Sequence, residues 1–211
     1  MEYIKMPLGP LQTNCYIIKN DNNTCLIFDP GEEGSKVIEV LNHNGLVPAA
    51  ILLTHAHFDH IGAVDEIREM YQIPVYLHEN ESDWLGNPVL NGSQFFMPNH
   101  LTCVKPANDL LKGEKQVTVG DFTFHIYETP GHSPGSVSFH FPEVDLVISG
   151  DALFQGSIGR TDLPGGDHSQ LMNSIHEKLL TLSEETIVLP GHGPETTIRN
   201  EMDRNPFLNG F

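Results

Sequence analysis

Basic residues are scarce in this 211-residue sequence: 11 lysines and arginines stand against 28 aspartates and glutamates, for a formal net charge of −17. A surface of that sign repels a phosphate backbone, so nucleic acid is not expected as a partner. Cysteine is scarce too. Cys15, Cys25 and Cys103 are odd in number and lack CxxC spacing, which implies neither a disulfide framework nor a cysteine zinc site and leaves buried thiols as the expectation. No segment approaches the apolar length needed to span a bilayer. The stretch from Met1 to Cys15, interrupted by Lys5, Pro7, Gly9 and Pro10, has no apolar run of signal-peptide length. These absences predict a cytoplasmic protein without membrane association, and they say nothing of its oligomeric state. With 39% hydrophobic and 18% charged residues, and no linker or short repeat, the composition predicts one globular domain over residues 1–211.

Short strand patterns come first, at Tyr3–Pro7, Cys15–Lys19 and Thr24–Phe28, parted by turn formers such as Asn20-Asp21-Asn22-Asn23. Ser35 is placed to cap a helix carrying Val37, Ile38 and Leu41, with Gly45 to stop it. A buried strand at Ala49–Leu53, a helix over Ala63–Tyr71 and a strand at Val75–Leu77 follow. Asn87–Pro98 is turn-rich and aperiodic, and reads as a long loop that serves either as a rim of an active site or as mere connection. Strands return at Val117–Val119, Phe122–Tyr127, Val137–Phe141 and Leu146–Ser149. A helix at Gln170–Leu182, a strand at Thr186–Leu189 and a helix at Thr196–Met202 then close the pattern. Both halves run from strands into alternating strand and helix. That order suggests an α/β fold, an αββα sandwich of two mixed β-sheets flanked by helices, although a three-layer α/β fold fits nearly as well.

The chemistry is concentrated in Thr54-His55-Ala56-His57-Phe58-Asp59-His60, three histidines and an aspartate directly after a buried strand. Imidazole nitrogen and carboxylate oxygen are donors that zinc and related divalent metals favour, and two histidines one residue apart can turn toward one ion. Three further candidates follow other strands: His132 in Thr129-Pro130-Gly131-His132, Asp151 in Ser149-Gly150-Asp151 and His192 in Pro190-Gly191-His192. Residues beyond one end of the strands of a sheet can converge in space, and a neighbouring glycine lets the backbone turn closely. Any one of these has a bland reading as a polar turn; together they favour a metal site.

The stretch 55–60 matches the HxHxDH motif, and in it the sequence resembles the metallo-β-lactamase superfamily. The likeness covers the whole chain, including Asp29-Pro30-Gly31, GSIGRTDLPGGD at 156–167, PGHGPETT at 190–197 and Asn205-Pro206-Phe207-Leu208. Within the superfamily it is similar to glyoxalase II and its short single-domain relatives. That resemblance implies two divalent metal ions, with zinc expected and iron or manganese as alternatives. One would be bound by His55, His57 and His132 and the other by Asp59, His60 and His192, with Asp151 bridging them. Asp59 would also act in catalysis by positioning the nucleophile, and Asp29 would orient a ligand histidine. Arg160 would meet a substrate carboxylate, or else serve as a structural anchor. The implied substrate is a small-molecule thioester, S-lactoylglutathione or a similar 2-hydroxyacyl thioester. The helical extension that holds glutathione in longer glyoxalase II enzymes has no counterpart after His192, so the thiol carrier stays open. Two other readings are carried with this one: a persulfide dioxygenase using one iron, which shares the HxHxDH framework, and a non-catalytic metal-binding protein.

Overall fold

The computed structural model describes residues 1–208. Two compact units are present, Met1–Lys112 with Val119–Asp121, and Gly113–Thr118 with 122–208. The class is mixed α/β, with two mixed β-sheets flanked by helices.

In the first unit six strands lie in sequence order: β1 (Glu2–Leu8), β2 (Thr13–Lys19), β3 (Thr24–Phe28), β4 (Val47–Leu52), β5 (Val75–His78) and β6 (Asp109–Leu111). The first three form an antiparallel meander, and β3 through β6 run parallel. The β1–β2 turn bends through positive φ at Gly9 (65°) and Gln12 (54°), closed by the Gln12 amide donating to the Gly9 carbonyl. Strands β2, β3 and β4 carry the apolar runs Cys15–Ile18, Cys25–Phe28 and Ala50–Leu52, where both faces are buried, the usual state of a strand covered on two sides. One face sets Cys15, Ile17, Cys25, Ile27 and Ile51 against Val37 and Leu41 of α1 (Gly34–His43) and Val64 and Ile67 of α3 (Val64–Tyr71). The opposite face carries Tyr16, Ile18, Leu26, Phe28 and Leu52, also buried.

Two expectations for this unit need correction, and one short helix is additional to the sequence reading. Ser35 does not cap α1: the cap position is Glu33, in the left-handed region at φ 51° without a side-chain cap bond, and Ser35 lies inside the helix. A one-turn helix, α2 (Phe58–Ile61), begins within the histidine motif. The stretch 87–98 is not structureless, for it contains a second one-turn helix, α4 (Ser93–Phe96). Buried Asn91 organises that stretch: its Nδ2 donates to the carbonyls of Trp84 and Thr102, its Oδ1 accepts from the Ser93 amide, and its carbonyl accepts from the Phe58 amide.

The second unit holds β7 (Lys115–Val119), β8 (Phe122–Glu128), β9 (Val137–Phe141), β10 (Leu146–Gly150), the hairpin of β11 (Leu153–Phe154) and β12 (Ser157–Ile158), β13 (Ile187–Pro190) and β14 (Thr196–Thr197). Its main sheet has the order β14-β13-β10-β9-β8-β7. Since β9 is antiparallel to both β8 and β10, and β10 is parallel to β13, the strands β8, β10 and β13 all end at the same edge. Helices α5 (His168–Glu177) and α6 (Ile198–Arg204) pack Leu171, Ile175 and Ile198 on Val147 and Val188.

Both helices start earlier or later than the sequence pattern suggests. Asp167 caps α5 by accepting from the Gln170 amide at 2.9 Å, and the helix gives way after Glu177 to a 3-10 turn over Leu179–Thr181. Thr196 and Thr197 belong to β14, and the Thr197 hydroxyl caps α6. The fully buried Glu201 on α6 accepts from Thr196 Oγ1, Asn200 Nδ2, Gly156 N and Asn205 Nδ2 at 2.6 to 2.8 Å. Four donors satisfy a charge that burial would otherwise penalise, and they tie α6 to the β11–β12 hairpin.

Candidate metal centre

In the first unit, parallel strands deliver the donor residues. Phe28 and Leu52 are paired in register on β3 and β4, so Asp29 and Thr54-His55 emerge side by side. Asp29, in the left-handed region at φ 47°, grips the motif through both oxygens. Oδ1 accepts from the Thr54 amide at 2.8 Å; Oδ2 accepts from Thr54 Oγ1 at 2.6 Å and lies 3.0 Å from His60 Nδ1.

This network fixes tautomers. The single Thr54 hydroxyl proton goes to Asp29, so the same oxygen must accept from His55 Nδ1, 3.0 Å away. His55 therefore carries its proton on Nδ1, and so does His60, which donates to Asp29. In both rings Nε2 is left as a lone-pair donor suited to a cation. His57 is buried beside them, 4.8 Å from His55 between ring centroids and 5.7 Å from Trp84. The His55 and His60 rings are 4.1 Å apart. Asp59, on α2, places Oδ2 3.7 Å from His60 Nε2 and accepts there from Thr13 Oγ1 at 2.8 Å.

The second unit repeats the logic. His132, Asp151 and His192 follow β8, β10 and β13 at the common edge. His132 Nδ1 donates to the Arg160 carbonyl at 2.8 Å, which in the neutral ring again leaves Nε2 as the lone-pair donor. Asp151 Oδ2 lies 3.6 Å from His132 Nε2 and 3.5 Å from His192 Nε2. The positive φ of Gly131 (130°) and Gly150 (52°) turns the backbone before His132 and Asp151. At His192 the left-handed glycine is Gly193, not the preceding Gly191.

In a neutral ring whose Nδ1 carries the proton, Nε2 and an ionised carboxylate oxygen present lone pairs to each other, as His60 with Asp59 does at 3.7 Å and His132 with Asp151 at 3.6 Å, an arrangement that a cation between them relieves. Two donors bound tetrahedrally to one metal at about 2.1 Å stand roughly 3.4 Å apart. The donors thus have the chemistry and spacing that a divalent metal ion requires. Cysteine contributes nothing to the set: burial pushes the Cys25 thiol up to about 12 and the Cys15 thiol higher still, so both stay protonated, while Cys103 is exposed.

The Arg160 side chain is engaged locally. Its Nε and Nη2 each donate to Asp162 at 2.7 Å, and the guanidinium holds the Asp162 carboxyl down to about 2. What Arg160 gives the centre directly is its backbone carbonyl. Two supporting residues were invisible to motif reading. Thr13 is an ordinary strand residue in sequence. Glu81 looks like surface charge, yet it is fully buried in the 3-10 turn after β5, and its Oε2 accepts from the Ala56 amide, between His55 and His57, at 2.6 Å. Neither carries a local signal; only the order of neighbouring strands brings them to the motif.

The family model described as "Metallo-beta-lactamase superfamily" matches residues 8–192. "Probable metallo-hydrolase YqgX" of Bacillus subtilis (strain 168) is 57% identical over all of this chain and 99% of its own length. "Hydroxyacylglutathione hydrolase GloC" of Haemophilus influenzae is 34% identical, covering 97% of this chain and 96% of its own. Among solved structures, the BLEG-1 B3 metallo-beta-lactamase superposes with a TM-score of 0.97 at 56% identity, over 99% of this chain and 100% of that one. TTHA1623 in a di-iron-bound form gives 0.85 at 42% identity, over 97% and 100%, and ETHE1 from Myxococcus xanthus 0.80 at 29%, over 98% and 84%. With a family model spanning most of its length and such relatives along the whole of it, the chain belongs to the metallo-beta-lactamase superfamily of metal-dependent hydrolases.

Proposed function

We propose that the chain hydrolyses thioesters at a centre of two divalent metal ions; as the family resemblance implies, His55, His57 and His132 would hold one, Asp59, His60 and His192 the other, and Asp151 would serve both. The observation that carries this reading is the facing of histidine Nε2 atoms and carboxylate oxygens at 3.5 to 3.7 Å. Zinc suits this nitrogen and oxygen set, and iron or manganese suits it as well. When bound, two such ions polarise a carbonyl oxygen and lower the pKa of water toward about 7, which supplies a nucleophile at neutral pH.

The chain's own residues do the rest. Asp29 and the Arg160 carbonyl keep His60 and His132 in the tautomer that binds metal, and Thr54 does so for His55. Asp59 would help to position the attacking water for the substrate carbonyl. A thiol with a pKa near about 8.5 leaves as thiolate without a general acid, whereas an amide nitrogen needs a proton donor. That asymmetry favours a thioester, and the 34% identity to a hydroxyacylglutathione hydrolase supports a 2-hydroxyacyl group such as that of S-lactoylglutathione. A second reading, β-lactam hydrolysis, is favoured by the 56% identity to the BLEG-1 B3 metallo-beta-lactamase.

The test is elemental analysis of the purified protein together with turnover of S-lactoylglutathione and of a chromogenic cephalosporin. Two ions per chain with thioester turnover well above cephalosporin turnover supports the proposal, and the reverse preference supports the second reading. One tightly bound iron with oxygen uptake on a persulfide would replace both with a dioxygenase. Full metal occupancy without turnover of any thioester would revive the non-catalytic alternative.

A further inference from the structure

We infer that Thr13 is a positioning residue for Asp59, acting through a hydroxyl that fixes which way the Asp59 carboxylate faces. The inference rests on the metal centre proposed above.

An aspartate carboxylate rotates in a broad, shallow well about its last bond, so a carboxylate that must face a neighbouring histidine nitrogen needs something to stop it turning. At Asp59 the stop comes from outside the motif. Thr13 is fully buried, and its Oγ1 donates to Asp59 Oδ2 at 2.8 Å, the same oxygen that faces His60 Nε2 at 3.7 Å. A charge-assisted bond of this kind is shorter and stronger than one between neutral groups.

The donor is itself held. Thr13 opens β2 opposite Leu8 on β1, after the turn closed at Gly9 and Gln12. The Gly9 amide donates in turn to Glu33 Oε2 just before α1, which anchors the turn. A β-branched side chain on a strand is stiff at χ1, so the hydroxyl direction follows from the backbone. The acceptor's backbone is equally fixed: a Cβ placed on Gly31 would meet the Asp59 carbonyl oxygen at 1.8 Å and Thr13 Cβ at 3.5 Å, so Gly31, Thr13 and Asp59 are packed together. The Thr13–Asp59 hydrogen bond thus joins two rigid pieces and sets the carboxylate's angle.

Threonine and valine differ in shape by little more than that hydroxyl, which gives a direct test. Thr13→Val is compared with Thr13→Ser and wild type by three measurements: the dissociation constant of the more weakly held ion, read by chelator competition; the visible absorption bands of the cobalt-substituted protein; and thioester kcat and KM. Thr13→Val is expected to weaken that ion about tenfold, shift the cobalt bands and lower kcat about tenfold with KM nearly unchanged, the pattern of a lost transition-state interaction. Thr13→Ser restores all three. A merely structural role would lower the melting temperature of the metal-free protein and leave the cobalt bands alone. If Thr13→Val does not fold, Thr13→Ala is read by the same measurements. Wild-type metal affinity and cobalt bands in Thr13→Val, or in Thr13→Ala where that variant stands in for it, would overturn the inference alone. A wild-type protein that takes up no metal would overturn the proposed centre and the role of Thr13 with it.

Discussion

Asp29 and His60 stand 31 residues apart in sequence and meet with Oδ2 3.0 Å from Nδ1, both side chains out of contact with solvent. The same carboxylate binds the Thr54 amide and hydroxyl, so one residue sets the entry of the motif and the tautomer of its last histidine.

Asp29→Ala therefore leaves two buried donors of Thr54 without their acceptor, at a cost of roughly 1 to 3 kcal/mol for each unsatisfied group. Asp29→Asn keeps one oxygen acceptor and tolerates the left-handed backbone. It is expected to lose less stability than Asp29→Ala while binding metal about 10 to 100 times more weakly. Urea denaturation of the metal-free proteins and metal titration separate the two effects.

Gly159 gives a steric test of the second unit. A Cβ there would stand 1.8 Å from the Asp151 carbonyl oxygen and 3.3 Å from His132 Cβ, so Gly159→Ala must push the backbone of Asp151 aside. The expected outcome is loss of metal content together with a lower melting temperature. Gly86→Ala, whose new methyl would meet nothing closer than the Val104 carbonyl oxygen at 3.6 Å, is the control and should behave as wild type.

Removing metal should destabilise the folded chain. An ion that binds only the native state at 100 times its dissociation constant contributes about 2.7 kcal/mol. Dialysis against a chelator is expected to lower the melting temperature, and readdition of zinc to restore it. Asp59→Asn should narrow that gap and reduce turnover more than it reduces metal-free stability. Calorimetry with and without metal, beside the thioester assay, checks both statements.

Burial lowers the proton affinity of His140 on β9 below its ordinary value of 6.5, with the facing His125 adding to the effect and Asp145 opposing it. A histidine whose folded pKa lies below its unfolded one binds fewer protons when folded, so stability is fullest above about pH 6.5 and declines as pH falls below it. His140→Gln should flatten that decline relative to wild type. Urea midpoints measured between pH 7 and pH 5 give the two slopes, and parallel slopes would count against it.

Much of this was legible in the sequence because donor residues cluster where strands end. His55, His57, Asp59 and His60 announce themselves by spacing, and His132, Asp151 and His192 by glycine neighbours at the ends of apolar runs. The strands of both sheets read through, apart from the short edge strands β6 and β14, because their buried runs are bounded by turn residues. What escaped was set by tertiary register. Glu81 and Thr13 reach the motif only because β5 and β2 lie where they do, and no local pattern distinguishes a buried glutamate from a solvated one. Helix ends were misread where capping broke the usual rule, as at Glu33, or where a short strand took the residues just before a helix, as at Thr196.

The bond from His132 Nδ1 ends on a backbone carbonyl, that of Arg160, and every amino acid brings a carbonyl to its position. Substitution at residue 160 therefore leaves the orientation of His132 in place, while the side chain it exposes and the partnership with Asp162 change freely. Descendants of this sequence can drift at position 160 without surrendering the histidine it supports, whereas position 29, where the support is a side chain, admits almost no such drift.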